Sequence, residues 1–175
     1  SDDISLPTRF ENQLRISQKY DVDVCGSWVG EFDSDETEIY AYRKLPEHHE
    51  DIKKFAKLRS PMNHPAVMFK KSAVEGVGSY GTFRFSQDYH LWVRMLMNNA
   101  MFYNIQEPLV YMRAGVGQLQ RRGGIAYAKN EYRLMKEFKR LGFLSKGEFI
   151  KGMIIRIPVR LMPKTVLAVV YRLLR

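Results

Sequence analysis

Cysteine is nearly missing from this 175-residue chain: Cys25 stands alone, so no internal disulfide can form. No Cys/His spacing resembles a zinc site either, and a reducing, cytosolic setting fits. Long apolar runs are also lacking. The N-terminal residues do not read as a signal peptide, and no hydrophobic stretch has the length of a bilayer-spanning helix. Internal repeats and low-complexity segments are absent. Acid is in short supply, with 19 Asp and Glu against 28 Lys and Arg, a formal charge of +9. That excess attracts something anionic, whether nucleic acid, acidic lipid or a phosphorylated ligand.

What is present suffices for one ordinary core, since 45% of the residues are hydrophobic. The organisation expected is a domain over residues 1–144 and a tail of different character over residues 145–175. The opening run, Ser1 to Pro7, reads as the end of a strand with its loop, and no initiator Met precedes it. The expectation is a fragment of a longer chain.

A helix is predicted from Pro7 to about Tyr20, with Ser5 or Leu6 as its cap and Phe10 and Leu14 as its buried stripe. Val22 to Cys25 and Ser27 to Val29 look like strand interrupted by Gly26. Thr37 to Tyr42 alternates as another strand after the acidic turn Asp33 to Glu36, which reads as a solvated hairpin tip. Pro46 opens a polar helix to Leu58. Its His48 and His49 point about 100° apart on a helix, poorly placed to share a metal, and read as surface residues. A Pro-bounded loop, Ser60 to Pro65, then feeds a short apolar strand and a helical turn at Ser72 to Glu75. His64, just ahead of that strand, suits either a pocket wall or a structural hydrogen bond.

The chain's organising stretch is Gly81 to Trp92. A glycine-rich loop runs into Ser86, and an apolar-periodic helix follows through Leu91, Trp92, Met95 and Leu96. Ser86 is the expected N-cap, which puts Asp88 in the first turn, where the helix dipole favours a carboxylate. Such an acid serves as helix-end electrostatics or as a general base. Two short strands, Met101 to Ile105 and Leu109 to Met112, are predicted on either side of Glu107-Pro108. A basic glycine loop carrying Arg121 and Arg122 leads to a helix from Ile125 to about Leu141, with Tyr127, Leu134 and Phe138 on its apolar side and Gly142 as its stop. In the tail, Ile150, Ile154, Ile157 and Leu161 alternate with Lys151, Arg156 and Arg160, and Pro158 and Pro163 are expected to break it into short helices. A basic amphipathic tail suits an anionic membrane surface, where each well-placed cation contributes ~1 kcal/mol. The same pattern also fits a helix packed on its own domain.

Three blocks in this order carry a resemblance. Asp2-Asp3 precedes Ser5-Leu6-Pro7-Thr8-Arg9-Phe10-Glu11-Asn12-Gln13. Asn63-His64-Pro65-Ala66-Val67-Met68-Phe69 is followed by Lys71-Ser72, and Gln87-Asp88-Tyr89-His90-Leu91-Trp92 closes the set. Over nearly the whole chain the sequence resembles bacterial family 2 glycosyltransferases. Tyr111-Met112-Arg113 and Arg121-Arg122-Gly123-Gly124 are similar to the branch that makes amylovoran and capsular polysaccharide. The resemblance implies an α/β fold, the C-terminal half of a GT-A (nucleotide-diphospho-sugar transferase) fold with a mixed sheet flanked by helices and an amphipathic helical tail. The nucleotide-holding half would precede Ser1, and such a fragment would be inactive alone.

The resemblance further implies a metal-dependent, inverting sugar transfer in cell-surface polysaccharide biosynthesis. The donor would be a nucleotide sugar and the acceptor a glycan or lipid-linked saccharide, at the cytoplasmic face of the plasma membrane. Asp2 matches the metal-binding acid for Mg2+ or Mn2+, Asp3 the acid after it, and Asp88 the catalytic base. Gln87 precedes that base, His64 and Trp92 are candidates for shaping the acceptor side, and Arg121 and Arg122 for meeting diphosphate oxygens. Gln118 to Arg122 lacks the Trp of processive synthases, which favours addition of single sugars. Two other readings stand beside this one. A nucleic-acid module accounts for the +9 charge, although no RNA- or DNA-binding signature is present. A non-catalytic membrane-surface scaffold rests on the tail alone. With half a sheet absent, self-association through an exposed edge is a further expectation.

Overall fold

The chain's structure, a computed structural model, describes residues 2–83, 85–114 and 124–162. Arg121, Arg122, Pro163 and the apolar residues from Val166 to Leu173 lie outside them. Two compact units are present: Ser1–Gly81 with Asp88–Ala114, and Thr82–Gln87 with Gly115–Arg175. The boundary expected at residue 145 falls inside the second. The α/β class with a mixed sheet flanked by helices is the one observed.

The first unit is built on β2 (Val24–Phe32), which is buried at every residue except the half-buried Trp28. Burial on both faces removes any need for alternation, so the sequence VCGSWVGEF does not look like a half-buried strand. Along one edge β2 pairs in parallel with β5 (Phe102–Arg113). β1 (Ile4–Ser5) adds antiparallel to the far side of β5 at Tyr111 and Val110. On the other edge of β2, β3 (Ala41–Arg43) pairs with Val29–Glu31 and β4 (Met68–Phe69) with Val24 and Cys25, both antiparallel. The expected hairpin is therefore present, with its return strand later than Thr37.

Two predicted interruptions are not interruptions. Gly26 lies inside β2 because a Cβ there would stand 2.3 Å from the Oδ1 of Asn104 on β5. Glu107-Pro108 lies inside β5 at a register irregularity, where Pro108 faces Trp28. A proline that donates no ladder bond is tolerated at a bulge.

The first helix, α1 (Arg9–Tyr20), reverses its expected face. Phe10 and Leu14 are exposed, and Gln13 is the fully buried residue, with Ile16 packing beside Val22, Cys25, Ile105 and Leu109. The cause is hydrogen bonding: Gln13 Nε2 donates to the carbonyls of Cys25 (2.8 Å) and Ala66 (3.0 Å), while Arg9 Nε holds Gln13 Oε1 at 3.0 Å. Two buried carbonyls thus gain a side-chain donor.

Asn63 performs the matching service on the β3/β4 edge. These short strands leave the edge of β2 uncovered near Ser27, and Asn63 Nδ2 donates to the Ser27 carbonyl at 3.0 Å and to that of Arg43 at 3.1 Å. Asn63 and Ala66 bracket the 3-10 turn His64–Ala66, so two buried amides clamp the turn that carries His64. Ala66 itself packs with Val29, Val110, Met112 and Ala114. Around this frame lie α2 (His49–Phe55), α3 (Lys71–Glu75) and α4 (Gln87–Met97).

In the second unit, α5 (Ile125–Arg140) buries Leu134 and Phe138 as expected, together with Met135, while Tyr127 is half-buried; Gly142 follows it at φ 84°. α6 (Lys146–Leu161) begins with a full capping box between Ser145 and Glu148. It runs through Pro158 without breaking, a correction to the expected short helices. Pro158 shares the exposed side of the helix with Ile154, so the carbonyl it leaves unpaired faces water. A second correction concerns the tail's cations. Arg156 and Arg160 point inward to the buried carboxylate of Glu131 on α5, Arg160 at 3.2 Å. The exposed side instead presents Ile150, Ile154, Leu161 and, at its margin, Ile155 and Lys151.

Replacing Gln13 by Leu should strand the Cys25 and Ala66 carbonyls in the core. The expected loss is about 1–3 kcal/mol, read as a lower urea midpoint at unchanged slope.

Candidate active site

After its first turn α4 is buried nearly all round, at Tyr89, His90, Leu91, Trp92, Val93, Met95 and Leu96. Tyr89 Oη donates to the Ala56 carbonyl at 2.5 Å, which fixes the start of the helix. Its far end turns through Asn99 (φ 61°) into β5. There the Met101 carbonyl accepts from the N–H groups of Asp23 and Val24. The expected cap differs in detail: Ser86 takes φ 61°, not the extended backbone of a side-chain N-cap.

Asp88 is half-buried and shares a helix face with Trp92, one turn on. Trp92 is fully buried, with its ring 6.0 Å from that of His64, 6.2 Å from Phe69 and 6.4 Å from Phe102. Its ring packs directly against that of His64. His64 is exposed, and its ring meets that of Tyr80 edge to face at 6.2 Å and 86°. Partial burial and, second, the Asp88 carboxylate hold the Tyr80 hydroxyl above the ordinary tyrosine pKa. Three side chains from separate segments, His64, Tyr80 and Asp88, therefore converge.

Tyr80 was not singled out by sequence reasoning, and neither was Arg94, which holds it in place. Arg94 donates from Nη1 to the Val77 carbonyl at 2.5 Å and from Nη2 to the Ser79 carbonyl. That pins the loop Gly76–Gly81 to α4. Gly81 passes so close to His90 that a Cβ would stand 2.8 Å from its Nδ1. The available signal was the glycine spacing, which marks close approach of backbone to a helix, but not which helix.

The remaining candidates are more scattered. Asp2 is exposed, and its Oδ2 lies 3.7 Å from Arg113 Nε at the carboxyl end of β5; Asp3, next to it, leads into β1. Gln87 opens α4 and is exposed. Arg121 and Arg122 lie outside the described residues. Among those residues no group of three His, Cys, Asp or Glu side chains converges as a metal cluster. Asp2 still offers hard oxygen donors at an open strand end. Such donors suit Mg2+ or Mn2+, which takes one or two carboxylates and completes its shell with phosphate oxygens and water. The acidic turn keeps its bland role: Asp35 Oδ1 accepts from Thr37 N–H at 2.9 Å and Oγ1 at 2.7 Å, which holds the Asp35 carboxyl below its usual value. His49, expected at the surface, turns inward, and its Nδ1 accepts from the Phe102 N–H at 3.2 Å. Burial pushes the Cys25 thiol up to about 11, so it stays protonated and is no nucleophile.

A mixed sheet with an acid and two exposed rings grouped at the start of a buried helix is a frame for chemistry on a polar small molecule. Over 98% of its length the chain is similar to bacterial glycosyltransferases. It is 40% identical over 173 residues to UDP-Gal:alpha-D-GlcNAc-diphosphoundecaprenol beta-1,3-galactosyltransferase of Escherichia coli, covering 98% of this chain and 62% of that protein. It is 35% identical over 175 residues to the amylovoran biosynthesis glycosyltransferase AmsE of Erwinia amylovora, covering 98% and 64%. It is also 35% identical to an uncharacterized glycosyltransferase of Haemophilus influenzae, again covering 98% and 64%. The chain spans a little under two thirds of the length of these curated relatives. No family model matches it.

Asp88→Asn should lower the Tyr80 pKa toward its ordinary value by removing one of the two causes that raise it. The ring-carbon NMR shift of Tyr80, followed against pH, reads this directly; an unmoved titration would separate the two groups.

Proposed function

We propose that the protein transfers a sugar from a nucleotide-sugar donor to a glycan or lipid-linked acceptor in surface-polysaccharide synthesis, with inversion, on a GT-A frame. The observation that carries this reading is the placement of Asp88. It starts a rigid, buried helix beside two exposed rings, in a chain homologous along its length to glycosyltransferases.

The chemistry asks little of the protein beyond position and charge. As the acceptor oxygen bonds to the anomeric carbon, the bond from that carbon to the diphosphate oxygen breaks. The acceptor proton passes to the Asp88 carboxylate. A single displacement needs no enzymic nucleophile and inverts the anomeric centre. A divalent cation bound at Asp2 would supply Lewis-acid stabilisation of the departing diphosphate. Asp3 adds negative charge beside it. Gln87 and His64 flank the acceptor side, Trp92 supports His64 from below, and Arg121 and Arg122 are assigned to diphosphate oxygens. One relative's name specifies a diphosphoundecaprenol-linked acceptor. An acceptor of that kind is presented at a membrane surface.

The exposed side of α6 gives the protein a means of working there. No helix among the described residues is long and apolar enough to cross a membrane. The stripe Ile150, Ile154 and Leu161, with Lys151 at its margin, instead suits an interfacial helix that inserts its apolar side among lipids. Apolar insertion, not the arginines, carries this contact, since Arg156 and Arg160 are engaged with Glu131.

Asp88→Asn should lower transfer about 10²–10⁴-fold, the usual worth of a positioned acid or base, while donor binding is retained. Unchanged turnover would remove Asp88 as the base. Separately, Ile154→Asp should reduce sedimentation with vesicles containing anionic phospholipid while leaving the thermal midpoint unaltered. Undiminished sedimentation would assign the apolar side another role.

A further inference from the structure

The glycosyl-transfer reading names a base and polar flanks for the acceptor, but no apolar surface against which a sugar ring would pack. Tyr80 is 41% exposed, on a loop tied to α4 on both sides of it. The turn before it uses left-handed backbone at Gly78 (φ 76°) and Ser79 (φ 58°). Arg94 ties the carbonyls of Val77 and Ser79 to α4, and Gly81 is packed against His90. What sets this ring apart from the other exposed rings of the chain is its fixed loop and its neighbours. The carboxylate of Asp88, the residue assigned as base, acts electrostatically on the same ring. Asp88 and Trp92 share one face of α4, the Trp92 ring packs against His64, and His64 meets Tyr80 edge to face, which leaves Tyr80 at least one face clear of His64.

Sugar rings recognise such an arrangement. A pyranose has a face of C–H groups that packs on an aromatic ring, and hydroxyls around its rim that need polar partners. We propose that Tyr80 is the platform for the acceptor sugar, packing against a pyranose ring whose attacking hydroxyl faces Asp88, with His64 at the rim. Tyr80 is then a specificity-determining residue: it selects acceptors with an unobstructed C–H face next to the reacting hydroxyl. Its hydroxyl, held above the ordinary tyrosine pKa, remains a hydrogen-bond donor through the physiological range. The proposal rests on the glycosyl-transfer reading for the role of Asp88, but contact between sugar and ring can be tested without turnover.

The probe is saturation-transfer NMR on the 175-residue protein with the methyl glycosides of N-acetylglucosamine, glucose and galactose. At least one should receive saturation at its ring C–H protons. Tyr80→Ala should abolish that transfer, while Tyr80→Phe and Asp88→Asn retain it. In transfer assays of the full-length protein Tyr80→Ala should raise the acceptor KM up to about tenfold, the upper worth of one ring contact, with the donor KM unchanged. A loop that had merely collapsed would also release its Arg94 contacts, seen as faster amide exchange at Gly78 and Ser79 in Tyr80→Ala. Equal saturation in wild type and Tyr80→Ala, or saturation of none of the three glycosides, overturns the proposal. Full transfer activity in Asp88→Asn would instead sink the general-base reading and leave the sugar platform standing.

Discussion

Two buried side-chain amides hold the first unit together at the points where its strands do not. β2 is covered on one edge by two strands too short to reach along it, and Asn63 fills the gap at Ser27. Gln13 donates in turn to the buried carbonyls of Cys25 and Ala66. An unpaired buried carbonyl costs more than an ordinary hydrogen bond gains, so these amides are not interchangeable with apolar residues of similar size. Both act on the His64 turn, one from each side. The site's geometry is thus a by-product of completing the sheet.

The second constraint is α4. A helix buried on nearly every side cannot roll, so the direction of Asp88 is set by the seven side chains behind it. Arg94 then transmits that rigidity to the glycine loop, and through it to Tyr80. His64, Tyr80 and Asp88 come from three segments but refer to one body. Held this way, an acid and two rings keep their spacing without a ligand to organise them, as catalysis by positioning requires.

The basic balance of the chain also reads differently once the partners are known. Arg94 and Arg113 are bound to backbone carbonyls, Arg43 lies 3.8 Å from the buried Glu31, and Arg156 and Arg160 converge on Glu131. These cations help hold the fold. Net charge counts them equally with surface lysines, which is why +9 alone pointed toward nucleic acid as readily as toward lipid.

Composition, glycine and proline placement and three ordered motifs were enough to read the α/β class, the family, the acid at the start of α4, the apolar side of α5 and its stop at Gly142. Those features depend on local chemistry: propensity, caps and turn residues act over a few positions. The sequence misled at Phe10 and Leu14, at Gly26, at Pro108 and at Pro158. At each, the outcome was decided by a partner distant in sequence or by the water side of a helix: the Cys25 and Ala66 carbonyls, the Asn104 side chain, the bulge opposite Trp28. Asp88 was legible because it lies inside a motif. Tyr80 was not, because its role comes from His64 and Arg94, residues that only packing brings beside it.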